Sequence, residues 1–477
     1  MTLGAVDGQH DPGAGLRRII MNEASVANGA VALPPLPSLG EATRVWFKIG
    51  CLSFGGPAGQ IALLHREVVD DRNWVSDRRF LHALNFCHLL PGPEAQQLAI
   101  YLGWLMHGPI GGFSAGLLFV IPGAVVMLAL SLIYATLGAL PVIAALFFGL
   151  KSSVLVLLVE AVLRIGRRAL KGRVAWTLAG ISFAALFVFN VPFPIVVLVA
   201  GLIGTLAPGY FAGGVHGKAK DGPPALLDAV LAADPGRAER FARSARMAGL
   251  ACGALWLLPV VLLLPIGGVY ADVGWFFSKM AVVTFGGAYA VLAYVAQEAV
   301  QGYHWLSAPE MLSGLGLAET TPGPLILVLQ FVGFLAGYRA PSGLSGIPGG
   351  IVASVLTLWV TFLPCFTFVF LGAPLLERLQ GNRKLSGALS AVTAAVVGVV
   401  ANLAVWFALH VLFGETVPVR ALMTFFDTPV FSSIDLWALA LAVVAGVSLF
   451  RFKLGVMPTL AICSATSIAQ YVVMSVV

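Results

Sequence analysis

Charge is what this sequence has least of. Only 10% of its 477 residues are Asp, Glu, Lys or Arg, and 59% are hydrophobic. A soluble chain would carry about 25% charged residues, so these few charges cannot clothe a solvated surface. Residues 108–150, 174–215, 247–271, 340–376, 385–414 and 454–477 contain no Asp, Glu, Lys or Arg at all. Each run is long enough for one or two helical spans, since about 20 apolar residues cross a bilayer. The runs are continuous, without the short alternating segments of a membrane barrel. Cysteine is also scarce: Cys51, Cys87, Cys252, Cys365 and Cys463 are dispersed, with no CxxC pair or Cys/His cluster to hold a metal or frame a set of disulfides. Haem, flavin, iron–sulfur and nucleotide motifs and a nucleophile constellation are absent as well. The net charge of +6 sits in clustered loops rather than on one nucleic-acid-binding face. The sequence therefore predicts an all-α polytopic membrane bundle, a mean hydropathy of +0.92 agreeing. It predicts neither an enzyme nor a cofactor.

What is present is a glycine-proline signature, carried twice. The first copy runs from Lys48 through Ser53-Phe54-Gly55-Gly56-Pro57 to Glu67 and Trp74, ending at Pro91-Gly92-Pro93. The second runs from Lys279 through Thr284-Phe285-Gly286-Gly287 to Glu298 and Trp305, ending at Pro322-Gly323-Pro324. Every matched position lies 231 residues from its counterpart, with no gap. One departure between the copies is Pro57 against Ala288.

In chain order, residues 1–38 read as a flexible tail with no apolar core of a cleavable signal behind Arg17-Arg18. A first repeat occupies 40–215, a polar linker 216–246, a connecting span 247–271 and a second repeat 272–477. Spans are expected near 110–135 and 139–163, then a hairpin broken at Asn190, Pro192 and Pro194. The second repeat should hold spans near 347–371 and 385–413 and a hairpin at 433–450 and 454–476. Arg164, Arg167, Arg168, Lys171 and Arg173 follow the fourth element without an acid, the strongest cytoplasmic marker in the chain. In the second half the basic loop, Arg378, Arg383 and Lys384, precedes the fourth element. The repeats are therefore expected to have opposite orientation, giving about thirteen membrane segments with a cytoplasmic N-terminus. Arg66, Arg72, Arg78 and Arg79 between the elements of the first copy leave re-entrant helices as the alternative to spans.

Inverted repeats with broken helices are a recurrent plan for secondary transporters. Gly-Gly and Pro-Gly-Pro interrupt helices, and backbone freed at membrane depth needs protein or a wet cavity to satisfy it. Four interruptions paired by symmetry would aim four half-helix ends at a common centre, where unpaired N–H groups favour an anion. Glu94, Gln96 and Gln97 begin the element after the first PGP. Lys48 and Lys279 are candidate ligands with snorkelling as the alternative. Glu67, Glu94, Glu298 and Glu319 are candidates for carrying protons. Lys151 is an open intramembrane candidate, whereas Glu160 reads as a partner of Arg164 one turn on. His65, His82, His88 and His107 read as hydrogen-bonded or interfacial residues, and Trp74 and Trp305 as interface anchors.

The stretches GCLSFGGPAGQIALLHREVV, NFCHLLPGPEAQQLAIYLGW, KMAVVTFGGAYAVLAYVAQEAV and GLAETTPGPLILVLQFVGF resemble the chromate ion transporter family in its long, two-domain form. The resemblance runs from about residue 40 to the C-terminus. It implies a bacterial inner-membrane protein that exports chromate and confers resistance, with chromate and the lipid bilayer as partners. Its signature positions fall on Phe54, Gly55, Gly56, Pro91, Gly92, Pro93, Glu94, Phe285, Gly286, Gly287, Pro322, Gly323 and Pro324; Ser53, Gln97 and Thr284 adjoin them. Sulfate, of the same shape and charge, is the expected competitor, and a transporter of sulfate or another oxyanion is the alternative reading. A membrane chromate reductase is a remote third. No oligomeric state follows, a homodimer being one arrangement left open.

Overall fold

The computed structural model describes residues 36–211, 225–234, 236–283, 285, 288–373, 383–421 and 424–476. The expected tail up to residue 35, the first part of the polar linker, and the site candidates Thr284, Gly286 and Gly287 lie outside the described residues.

The first repeat begins with α1 (Leu39–Leu52), α2 (Gly56–His65) and α3 (Asp77–Cys87). It continues with α4 (Glu94–Leu137), α5 (Pro141–Ala169), α6 (Arg173–Phe187) and α7 (Phe193–Leu206). Linker helix α8 (Leu226–Ala233) and the long α9 (Arg237–Leu263) lead to the second repeat. That repeat contains α10 (Gly268–Val283), α11 (Ala288–Gln297), α12 (Ala308–Thr320), α13 (Val328–Tyr338) and α14 (Gly346–Gly372). It closes with α15 (Arg383–Leu412), α16 (Leu436–Gly446) and α17 (Val456–Val476). Among the described residues, α4, α5, α9, α14, α15 and α17 are long and apolar enough to cross a bilayer. Shorter apolar helices fill the two hairpins and α13. Outward-facing Leu198, Val261 and Ile121 are exposed, as lipid-facing side chains must be.

The breaks follow from local chemistry. Helix α4 is bent where His107 and Gly108 leave helical geometry, one residue before Pro109 removes a backbone donor. The α6–α7 break falls at Asn190, which takes a positive φ of 49°, with Pro192 and Pro194 opening the next helix. Ser76 caps α3, and Ser307 with Glu310 forms a capping box on α12, at positions 231 residues apart. Asn73 and His304, also 231 apart, both adopt positive φ, and so do Gly92 and Gly323. The doubling seen in the sequence is thus repeated in the backbone.

The repeats interlock. Helix α15 packs against the first repeat's hairpin α6–α7, and α5 packs against the second repeat's hairpin α16–α17. Small residues allow it: a Cβ on Gly398 would lie 2.1 Å from Ala179 O, and one on Gly149 2.5 Å from Cys463 O. Such close backbone approach is how helices associate where lipid removes the hydrophobic drive.

Three expectations need correction. The all-α reading missed an antiparallel hairpin, β1 (Thr416–Ala421) with β2 (Thr424–Pro429), between α15 and α16. Its β-branched and aromatic residues, Thr416, Val417, Val419, Thr424 and Phe426, favour strands. The connecting helix starts at Arg237, ten residues before the expected span, because the basic end of the linker continues α9 without a break. Trp74 and Trp305 are not interface anchors. They are buried, Trp74 beneath the Arg72 guanidinium and Trp305 stacked on Tyr303.

Asp234, in the linker, is held below the usual carboxylate range by its hydrogen bond from Arg240. A depressed carboxyl contributes above its unfolded pKa and loses that contribution only as pH falls through the lower folded value. It stays charged near neutrality, so it adds no pH dependence to stability at pH 6–8.

Candidate functional site

The first FGG and the second PGP are joined to each other. At the end of α1, Gly55 and Gly56 take φ values of 86° and 69°, which lets α2 start at once in a new direction. The opened backbone is satisfied across the repeat boundary. The Gly323 amide donates to both Ser53 O (2.9 Å) and Ser53 Oγ (3.0 Å). Gln60 Nε2 donates to Gly323 O at 2.6 Å. Ser53 and Gln60 are buried. A Cβ on Gly123 of α4 would sit 2.0 Å from Pro322 O, so this PGP is pressed against both halves of the first repeat.

The first PGP is built similarly. Gly92 has φ 123°, and Gln97 Nε2, one turn into α4, donates back to Pro91 O at 2.7 Å. Pro93 caps α4, whose first residue, Glu94, receives His88 Nε2 at 3.1 Å. Pro57, Gln60, Pro93, Glu94, Ala95, Pro324 and Leu325 surround a cavity of about 10 Å³. Three of the four interruptions therefore meet at one point. The fourth is represented among the described residues by Phe285, which packs on the same core. The cavity has room for about one water, so the arrangement is a closed one. After the second PGP a 3₁₀ turn, Leu325–Leu327, precedes α13, and Leu325 stands where the first copy has Glu94. The copies are unequal in charge at this point.

The ionisable candidates separate. Glu67, 1% exposed, lies 2.7 Å from Lys48 Nζ and 2.6 Å from Arg72 Nη1. Lys48, its side chain 48% exposed, is paired with this carboxylate. Lys279, the matching residue, sits over the rings of Trp275 and Phe276, with no ion pair among the described residues. Glu298 is half-buried and likewise has no ion pair among them. Glu319, 6% exposed, accepts a hydrogen bond from Tyr289 Oη at 2.9 Å. Tyr289 reaches the first repeat: a Cβ on Gly56 would stand 3.7 Å from its hydroxyl. Arg164 and Glu160 of α5, paired at 3.3 Å, lie within electrostatic range of Glu319. Lys151 stands over the Phe148 ring, away from these groups.

The Glu67 arrangement carries a stability prediction. Glu67→Gln removes the negative charge shared by two cations and turns one acceptor oxygen into a donor, and is expected to cost about 1.5–3 kcal/mol. Lys48→Ala leaves Arg72 in place and removes a half-exposed partner, costing about 0.5–1 kcal/mol. Thermal melting of the detergent-purified variants ranks them; equal losses would mean that Arg72 does not hold the carboxylate.

Sequence reading gave no site role to Gln60, Tyr289 or Gln330, and took Arg72 only as a charge between two elements. Gln330 Nε2 donates to Ala124 O at 2.9 Å, a bond from the second repeat to α4. The available signal was a lone amide within an apolar helix, as in Gly59-Gln60-Ile61 and Leu329-Gln330-Phe331. The histidines behave as expected. His65 bridges Asp70 and Asp77, and His107 Nε2 pairs with Pro37 O at 2.7 Å.

The family profile described as chromate transporter matches residues 40–205 and again 271–468, two segments whose starts are 231 residues apart. The chain is 34% identical over 374 residues to the chromate transport protein of Pseudomonas aeruginosa, covering 77% of this chain and 81% of that one. It is 27% identical over 377 residues to the chromate transport protein of Cupriavidus metallidurans, covering 79% and 84%. A probable chromate transport protein of Synechococcus elongatus is 25% identical over 371 residues, covering 77% and 84%. No solved structure gives a significant match to the chain. With both halves matched, the signature doubled in register and the helices suited to a membrane, this chain belongs to the chromate transporter family.

Proposed function

We propose that this protein exports chromate across the bacterial inner membrane by alternating access, using the membrane potential and a coupled proton. The observation that carries the reading is the junction of Ser53 and Gln60 with Gly323, beside a cavity lined by the last proline of each PGP turn and by Pro57 and Gln60, which follow the first FGG. The helix starts at Gly56 and Glu94 border this junction, and such ends favour an anion. The relatives named for chromate transport supply the substrate. Chromate is a tetrahedral dianion, so one ion leaving a cell at −100 mV gains about 4.6 kcal/mol electrically. Export is therefore electrically downhill, whereas uptake would need compensating cations.

Opposite orientation of the repeats is supported by where the helices end. The turn after α2 is bonded to the polar linker: Leu226 N and Leu227 N donate to Asn73 O and Trp74 O, and Arg79 pairs with Asp228 at 2.6 Å. The end of α11 meets the α6–α7 turn instead, Gln297 Nε2 donating to Asn190 Oδ1 at 2.7 Å. Helix α6 starts at Arg173, in the basic loop, and so presents Asn190 at the other face. His107 with Pro37 O, and Arg237 donating to Met106 O, return the first half of α4 to the level at which α1 entered. In this reading α1–α2 and α3 with the first half of α4 are re-entrant pairs, and the basic loops and N-terminus are cytoplasmic.

Glu94 beside the anion path makes a proton useful. A carboxylate next to a dianion is repelled, and protonation or the His88 partner relieves it. Uptake of chromate by everted vesicles, with and without an imposed potential and proton gradient, is the test. Flux should fall when the potential is dissipated, and sulfate should compete. Potential-independent flux would overturn the electrical account, and preferential transport of sulfate would reassign the substrate.

A further inference from the structure

A cavity of about 600 Å³ lies between α6, α11, α15 and the β1–β2 hairpin, at the end of α11 that leads to Glu298 and Trp305 and apart from the cavity at the PGP turns. That size suits a small ligand. Its polar lining includes Asn190, Gln297, Asn402, Arg420 and Asp427, with Trp406 among the rings. Contacts place it away from the basic loops. Gly204 and Gly387 touch where α7 ends and α15 begins, so the Asn402–Leu409 end of α15 points the other way, toward Asn190. One helix face links it to the signature. Tyr289, Ala293 and Gln297 are spaced by four on α11, and share a face. The first is bonded to Glu319, and the last two line the cavity. Eight residues of helix span about 12 Å.

We propose that this cavity is a second oxyanion site, the station from which the anion is released on the face opposite the basic loops. The proposal rests on the transporter reading above. Arg420 offers a planar fork of donors suited to two oxygens of a tetrahedral anion, and the amides offer further N–H groups. Among the described residues, neither Arg420 nor Asp427 is ion-paired. Asp427 offsets the arginine's charge, which keeps affinity low, and a release site must bind weakly enough to let the ion leave.

The two charges therefore predict opposite effects. In right-side-out vesicles, Arg420→Gln should raise the half-saturating external chromate concentration about ten-fold, the loss of one charge-assisted interaction. Asp427→Asn should lower it about three-fold by removing a like-charge repulsion. Arg420→Lys, with the charge but not the fork, should fall between wild type and Arg420→Gln. In everted vesicles none of the three should move half-saturation from the cytoplasmic side more than about two-fold. Shifts in the same direction for Arg420→Gln and Asp427→Asn, no shift, or equal shifts from both sides would overturn the site. Absence of chromate flux from the wild-type protein in both orientations would remove the transporter reading instead.

Discussion

Gly92→Leu and Gly323→Leu are each expected to abolish chromate uptake by everted vesicles while leaving the protein in the membrane. Both glycines hold backbone that a side chain resists, φ 123° and 93°. Both also lack room. A Cβ on Gly92 would come within 2.8 Å of Gln97 Nε2 and 3.0 Å of Cys365 Sγ; one on Gly323 within 3.1 Å of Leu327 Cδ1. Leucine at position 92 would displace the Gln97 amide that holds Pro91 O, and at 323 it would separate the second PGP from Ser53 and Gln60. Gly343 separates strain from site. It has φ 80° and open space around its Cα, so Gly343→Ala meets similar backbone strain with no neighbour to displace. Retained flux in Gly343→Ala beside loss in the other two locates the effect at the junction. Retained flux in Gly92→Leu and Gly323→Leu would remove the PGP turns from the transport path.

The second large effect belongs to Glu319. Glu319→Gln is expected to leave a transporter whose flux no longer responds to an imposed pH gradient. At saturating gradient its flux should be lower by about 10²-fold, within the range for removing a proton-transferring group. An ionisable group buried at membrane depth is a functional group by default, and Glu319 has only Tyr289 as a hydrogen-bonding partner among the described residues. Tyr289 faces Gly56 of the first repeat, so a change in the carboxyl is felt directly at the FGG break. Arg164 and Glu160 are the other ionisable groups in electrostatic range. Tyr289→Phe should keep flux but displace its pH profile, because the carboxyl then loses its donor. A wild-type gradient response in Glu319→Gln would rule Glu319 out and return the role to Glu94. Glu67, already held by Lys48 and Arg72, is the weaker candidate of the sequence's four acids.

Much of this was legible before folding. Scarcity of charge and long uncharged runs require lipid as solvent, because a polar surface cannot be built without polar residues. Proline and glycine act on their own backbone, so the helix breaks at Asn190–Pro194, Gly138–Pro141 and each PGP could be read directly. The constant spacing of 231 revealed two copies, and these reappear in the paired φ values and caps. Partners could not be read. Nothing local to Lys48 indicates that it meets Glu67, or that Tyr289 meets Glu319 and Gln60 meets Gly323 263 residues away.

The sequence by itself determined the solvent, the breaks and the duplication, because each depends on single residues or on their order. Only the tertiary structure decided which broken end faces which, which lysine is neutralised, and that a β-hairpin roofs a polar cavity at one end of α11. Those outcomes depend on how two repeats pack against each other, and packing is set by shape and by hydrogen bonds between segments that the chain keeps far apart.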